Sequence, residues 1–216
     1  MTDDVRQNYD VAAALADAEA RFAAANPKSA EAYTAACAAL PGGNTRTVLF
    51  YPPFPVMLAK GEGCRLTDLD GHEYVDFQVE QTAGIYGHSE PIILNAIRAA
   101  LAEGITLGGP TPREAILANL FQARFPAVDL VRFTNSGTEA NLLALSAARA
   151  VTGRDKLIGF RGSYHGSVAS FGPYGDKLNV PFAWNFCRYN DVDGTRETIR
   201  TLARDLATVI IEPMTG

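Results

Sequence analysis

Apolar positions recur at helical spacing near the start of the chain. Val11, Leu15, Ala18 and Phe22 share one face of an alanine-rich stretch, which predicts an amphipathic helix from Val11 to Ala25. A second helix is expected after Ser29, ended by Pro41-Gly42-Gly43. The stretch Tyr51-Pro52-Pro53-Phe54-Pro55 excludes regular helix and favours extended, turning backbone, so this part reads as an arm over a larger body. Between Val56 and Phe77 short apolar runs, Val56-Met57-Leu58 and Tyr74-Val75-Asp76-Phe77, are separated by Gly61, Gly63 and the hairpin-favouring Asp70-Gly71. That pattern predicts a small antiparallel sheet. Pro91 suits the first turn of a helix carrying Ile93, Ile97 and Leu101, with Gly104 as its stop. The spacing of Thr111 and Glu114 fits a capping box that opens the next helix.

From Asp129 the pattern becomes strand, loop, helix, strand: Leu130 to Phe133, a helix through Ala150, Leu157 to Phe160, then Val209 to Ile211. Such alternation implies an α/β fold with a parallel sheet. Residues 1–104 are read as an N-terminal arm with a small-lobe segment, and residues 105–216 as the first part of a larger α/β domain.

Composition narrows the function classes. The chain has 216 residues, 47% of them hydrophobic, enough for a sizeable core. Its formal net charge of -5, with no run of Lys or Arg, argues against nucleic acid as a partner. Cys37, Cys64 and Cys187 are too few and too widely spaced for a disulfide framework and read as buried thiols. His72 and His88 stand beside turn glycines without metal-ligand spacing, so both read as structural and no metal site is expected. No segment looks like a secretory signal or a membrane span, which makes a cytoplasmic setting the expectation by exclusion.

Candidate chemistry concentrates at two strand ends. In Val131-Arg132-Phe133-Thr134-Asn135-Ser136-Gly137-Thr138-Glu139-Ala140-Asn141 a strand passes through a Gly-bearing turn into a helix. Free N–H groups at the helix start, with the Ser136 and Thr138 hydroxyls and the close approach that Gly137 permits, suit a phosphate. The same Ser136–Glu139 spacing is also an ordinary capping box. After the next strand, Gly162-Ser163-Tyr164-His165-Gly166 sits where open α/β sheets hold ligands. Tyr164 and His165 there suit a planar cofactor, or form a Gly-rich turn with two partly buried rings. Glu212, in Ile211-Glu212-Pro213, would face the same crevice or merely cap a loop. Arg46, in a Gly-rich loop, suits a bidentate grip on a carboxylate or is a solvated surface arginine.

Six segments in order resemble the class III pyridoxal-phosphate enzymes, the branch holding glutamate-1-semialdehyde aminomutase and the β-amino-acid transaminases. They are Pro41-Gly42-Gly43-Asn44-Thr45-Arg46, Leu69-Asp70-Gly71, Tyr86-Gly87-His88, Arg132 to Ala140, Tyr164-His165-Gly166 and Ile211-Glu212-Pro213. The resemblance implies a fold-type I transferase, usually a homodimer, using pyridoxal 5'-phosphate to move an amino group between an amino acid and a keto acid. It implies Ser136, Gly137 and Thr138 at the cofactor phosphate, Tyr164 against the pyridine ring and Glu212 near the cofactor's edge, with His165 counted among the cofactor-binding residues. The run Arg46-Thr47-Val48-Leu49-Phe50-Tyr51 before Pro52-Pro53-Phe54-Pro55 looks closer to β-phenylalanine aminotransferases. There Arg46 would bind the substrate carboxylate, with Tyr86 on the substrate side.

In that family the Schiff-base lysine and the aspartate on the ring nitrogen follow the Glu-Pro strand. The chain stops at Gly216, and Lys28, Lys60, Lys156 and Lys177 lack the family's context. The expectation is therefore an incomplete fold: the N-terminal arm, the small-lobe strands and the first half of the large-domain sheet, inactive alone. Two further readings are an aminomutase, which shifts an amino group within one substrate, and a non-catalytic scaffold or dimerisation module.

Overall fold

The computed structural model describes residues 10–172 and 176–214, and of Thr47 and Asp176 the backbone alone. The chain divides into two compact units, Met1–Gly109 and Pro110–Gly216, where the sequence placed the division at 104/105.

In the first unit, helix α1 (Val11–Ala25) starts at Asp10, whose carboxylate accepts the N–H groups of Ala12 and Ala13. Helix α2 (Pro27–Cys37) begins before the expected Ser29, with Pro27 in its first turn. Its own N-cap, Asn26, makes no side-chain cap bond. Asp70 supplies the cap from 41 residues away: its carboxylate accepts the Lys28 N–H at 2.8 Å and the Ser29 N–H at 3.0 Å, and the Ser29 hydroxyl at 2.8 Å. The positive end of a helix thus fixes the hairpin that carries Asp70. That hairpin belongs to an antiparallel sheet in the order β1 (Leu58–Glu62), β2 (Arg65–Asp68), β3 (Glu73–Val75).

Behind the turn, Asp68 is buried and accepts the Tyr74 hydroxyl at 2.7 Å, the His72 N–H at 2.8 Å and the His72 Nδ1 at 2.9 Å. Burial alone would raise the Asp68 carboxyl, but these donors outweigh it and hold it at about 2. Burial and the Asp68 charge push the Tyr74 hydroxyl up to about 12. His72 and His88 each pair with an aspartate, Asp68 and Asp76, at 2.9 Å. Phe22, Tyr33, Tyr51 and Phe54 pack the two helices onto the proline-rich segment. Helix α3 (Pro91–Ala102) follows.

In the second unit, helix α4 (Pro112–Arg124) starts at Thr111, but the Thr111 side chain makes no cap bond, so the expected capping box is absent there. The expected strand Leu130 to Phe133 also fails to form: residues 130–134 have no ladder partner among the described residues, and Leu130 is 91% exposed. An apolar run is necessary for a buried strand, yet pairing requires a neighbour. Helix α5 (Gly137–Thr152) leads into strand β4 (Lys156–Phe160). Strand β5 (Ala183–Cys187) and helix α6 (Val192–Leu202), which the sequence reading passed over, precede β6 (Leu206–Val209). The sheet is parallel, in the order β5-β4-β6. Its core is Ile158, Phe160 and Cys187, packed against Tyr189, Leu202, Leu206 and Val209. Cys187 is the buried thiol; Cys37 and Cys64 are exposed, against expectation.

Candidate functional site

The site of the second unit lies at the carboxyl edge of the parallel sheet, where helix α5 begins and the loops after β4 and β6 emerge. Ser136 is the N-cap of α5, and its Oγ accepts the Glu139 N–H at 3.1 Å. Glu139 reaches back to accept the Asn135 N–H at 2.8 Å. The capping reading of Ser136–Glu139 therefore holds in this form. It consumes one of the three leading N–H groups of α5 and leaves those of Gly137 and Thr138 without an acceptor among the described residues. At Gly137 a Cβ would meet nothing within 4 Å, so the helix tip faces open space. A hydroxyl that accepts a hydrogen bond keeps its own proton to donate, so Ser136 and Thr138 both retain a donor.

Residues 162–171 fold back on themselves: the Gly162 N–H donates to Phe171 O, the Phe171 N–H to Ser163 O, and the His165 N–H to Ala169 O, each at 2.9 Å. Three contacts fasten this loop to α5. The Ser167 N–H donates to Thr138 Oγ1 at 3.1 Å, and the Asn141 side-chain amide donates to His165 O at 2.9 Å. Gly166, at φ 115°, packs so closely that a Cβ would stand 2.5 Å from Thr138 Oγ1 and 2.6 Å from Thr138 Cα. Glycine is required there by conformation and by space. Asn141 and Ser167 were missed by the sequence reading. Asn141 could have been found, since it lies three residues after Thr138 on the same helix face.

Tyr164 is 59% exposed, while its N–H donates to the Glu212 carboxylate at 3.1 Å. Tyr189, after β5, ties the third loop in: its hydroxyl donates to Glu212 O at 2.9 Å and Pro213 O at 3.1 Å. His165 is buried, and its Nε2 has no partner among the described residues. Burial lowers its pKa below the ordinary histidine range, partly offset by the negative charge of Glu212.

The structure thus brings together Ser136, Gly137, Thr138, Tyr164, His165 and Glu212. Arg46 and Tyr86 belong to the first unit. The Arg46 guanidinium pairs with Glu80 there, and Tyr86 is largely exposed. Lys156 stands at the opposite end of β4 from this edge, about 13 Å away by strand rise, and is paired with Asp205 at 2.9 Å. Among the described residues no group of three His, Cys, Asp or Glu is placed to hold a metal ion. Nor is any described helix long and apolar enough to cross a membrane.

A family model, aminotransferase class-III, matches residues 50–172. The chain belongs to that family. As a class-III aminotransferase chain it is 49% identical over 203 residues to the β-phenylalanine transaminase of Variovorax paradoxus, covering 94% of this chain and 47% of that protein. It is 37% identical over 206 residues to a glutamate-1-semialdehyde 2,1-aminomutase of Desulfitobacterium hafniense, covering 88% and 48%. The crystal structure of a β-phenylalanine aminotransferase from Variovorax paradoxus superposes with a TM-score of 0.92 at 48% identity, over 95% of this chain and 48% of that one. The fold is that of the class-III aminotransferases, and the chain spans about half the length of the relatives it matches.

Proposed function

We propose that the protein is a pyridoxal-phosphate-dependent transaminase that moves the amino group of an aromatic β-amino acid to a keto acid, working as a homodimer. The observation that carries this reading is the junction of α5 with the loop after β4: the Gly137 and Thr138 N–H groups have no acceptor among the described residues, the Ser136 and Thr138 hydroxyls sit on the same helix tip, and Ser167 and Gly166 pack against Thr138. The fit is good at the anionic end, because a doubly charged phosphate gains both from unpaired N–H donors and from the positive end of a 16-residue helix. The loop packed on that tip also carries the exposed Tyr164 ring and the buried His165, whose Nε2 has no partner among the described residues.

In the bound enzyme Ser136, Gly137 and Thr138 would hold the phosphate, and Tyr164 would lie against the pyridine ring with His165 and Glu212 at its margin. The cofactor, when bound, supplies an electron sink for the carbon that loses its proton. The chain's own contribution is placement. Glu212 fixes the Tyr164 backbone, Asn141 fixes the His165 carbonyl, and the Thr138–Ser167 bond keeps the loop on the helix. Arg46 would grip the substrate carboxylate, and Tyr86 would stand on the substrate side. The assignment to a β-amino acid is supported by the 49% identity to a β-phenylalanine transaminase. The homodimer is taken from the resemblance to the class III enzymes, which are usually homodimers.

Protein made from the complete coding sequence, given 3-amino-3-phenylpropionate, a 2-oxo acid and pyridoxal phosphate, is expected to release 3-oxo-3-phenylpropionate and a new amino acid. Isomerisation of glutamate-1-semialdehyde without any keto acid, and no transfer from the β-amino acid, would instead establish the aminomutase reading.

A further inference from the structure

Arg46 is held firmly by its backbone and loosely by its side chain. Its N–H donates to Asn44 Oδ1 at 2.9 Å, its carbonyl accepts the Leu49 N–H at 2.9 Å, and Gly43 just before it lies too close to Tyr33 and Cys37 for any Cβ. The guanidinium is half-exposed, and Nη1 engages one oxygen of Glu80. Glu80 comes from a strap, residues 76–88, that is pinned at both ends. At one end Asp76 accepts the N–H groups of Gln78 and Val79 at 2.9 Å. At the other, His88 contacts Asp76 through Nε2 at 2.9 Å and donates its N–H to Gly63 O at 2.9 Å. Between the pins Val79, Glu80, Gln81 and Thr82 all have positive φ, from 42° to 80°, in a run that contains no glycine. Side chains disfavour that conformation, most of all the β-branched Val79 and Thr82, so the turn presenting Glu80 is strained. Tyr86 rides on the same strap.

We infer that Glu80 is an internal competitor for Arg46: it neutralises the guanidinium until a substrate carboxylate replaces it, and so sets which ligands the site admits. The inference rests on the reading that Arg46 binds the substrate carboxylate. Exchange of one carboxylate for another never leaves the cation unpaired, so its cost is small for a carboxylate ligand and large for a neutral one. A free carboxylate can take both forks of the guanidinium, whereas Glu80 engages through a single Nη1–Oε1 contact, and this difference favours the substrate. Glu80 thereby screens ligands by charge and geometry.

The test is calorimetric titration of the full protein with 3-phenylpropionate, an aromatic carboxylate that lacks the amino group and cannot react. Glu80→Gln is expected to tighten its binding about two- to fivefold, the size of effect an exposed ion pair carries. Glu80→Ala repeats the test with the side chain cut back. Arg46→Gln is expected to weaken binding at least about tenfold, and Glu80→Gln placed on top of Arg46→Gln to change nothing further. Unchanged or weaker binding in both Glu80 variants, with Arg46→Gln still weak, would overturn the competitor while leaving the transaminase reading intact. Undiminished binding in Arg46→Gln would overturn the carboxylate role of Arg46, and the competitor with it.

Discussion

Gly166 is the residue on which the junction of helix and loop turns most sharply. Alanine there would drive a methyl group against Thr138 at 2.5 Å and occupy φ 115°, so the loop must lift from α5. Gly166→Ala is expected to lower the unfolding midpoint by about 4–8 °C or more and to weaken pyridoxal phosphate binding at least about tenfold, read by calorimetry and cofactor fluorescence. Asp70 carries a comparable duty in the first unit: Asp70→Ala leaves the α2 N-terminus uncapped, and thermal unfolding should begin about 4–8 °C lower. The carboxylates also set an acid limit. Asp68 and Asp70 both titrate below the ordinary aspartate range when folded, Asp68 at about 2. A depressed carboxyl contributes stability above its unfolded pKa and loses it as pH falls through the folded one. Melting midpoints of the first unit should therefore hold down to about pH 4 and fall progressively between about 4 and 2, with a shallower fall in Asp68→Asn. The residue types at these sites were legible in the sequence, but their partners were not. Asp70-Gly71 reads as turn chemistry, and nothing in it signals a helix N-terminus 41 residues earlier.

At the level of elements, long periodic segments were the easiest to read, because a helix carries its hydrogen bonds within itself. Helix α1 runs from Val11 to Ala25 as its apolar spacing indicates, and α5 ends at Gly153 in the left-handed conformation that suits glycine there. Strands depend on neighbours, and here reading failed in both directions. The apolar run Leu130–Phe133 has no ladder partner among the described residues, whereas Ala183–Cys187 forms β5 because β4 lies beside it in register from Lys156↔Ala183 to Phe160↔Cys187. Its rings Trp184 and Phe186 close on Phe171, which fills the space that Gly159 leaves in β4. Gly159→Ala would place a methyl 2.7 Å from the Phe171 ring. A loss of about 1–3 kcal/mol is expected in denaturant unfolding, with the loop after β4 displaced and cofactor affinity reduced in step. Unaltered affinity would separate the loop from the sheet that supports it.

On the scale of the whole molecule, the order of motifs was the most legible feature, since family membership and the α/β fold follow from segments spread over both units. The pairing of Arg46 with Glu80, 34 residues apart within the first unit, is a relation that no local pattern encodes. The proposed homodimer gives one test at this scale: sedimentation of the complete protein should show a dimer whose dissociation abolishes transfer. The central claim is narrower, that the α5 tip and the loop after β4 receive the phosphate of the cofactor. Titrating the protein with pyridoxal phosphate and, separately, with pyridoxal measures this directly. Removal of the phosphate is expected to weaken binding at least about a hundredfold, as two N–H groups and two hydroxyls lose a charged partner, and Thr138→Ala is expected to narrow the gap. Equal binding of the two, or a Thr138→Ala protein that still prefers the phosphorylated form as strongly, would contradict it.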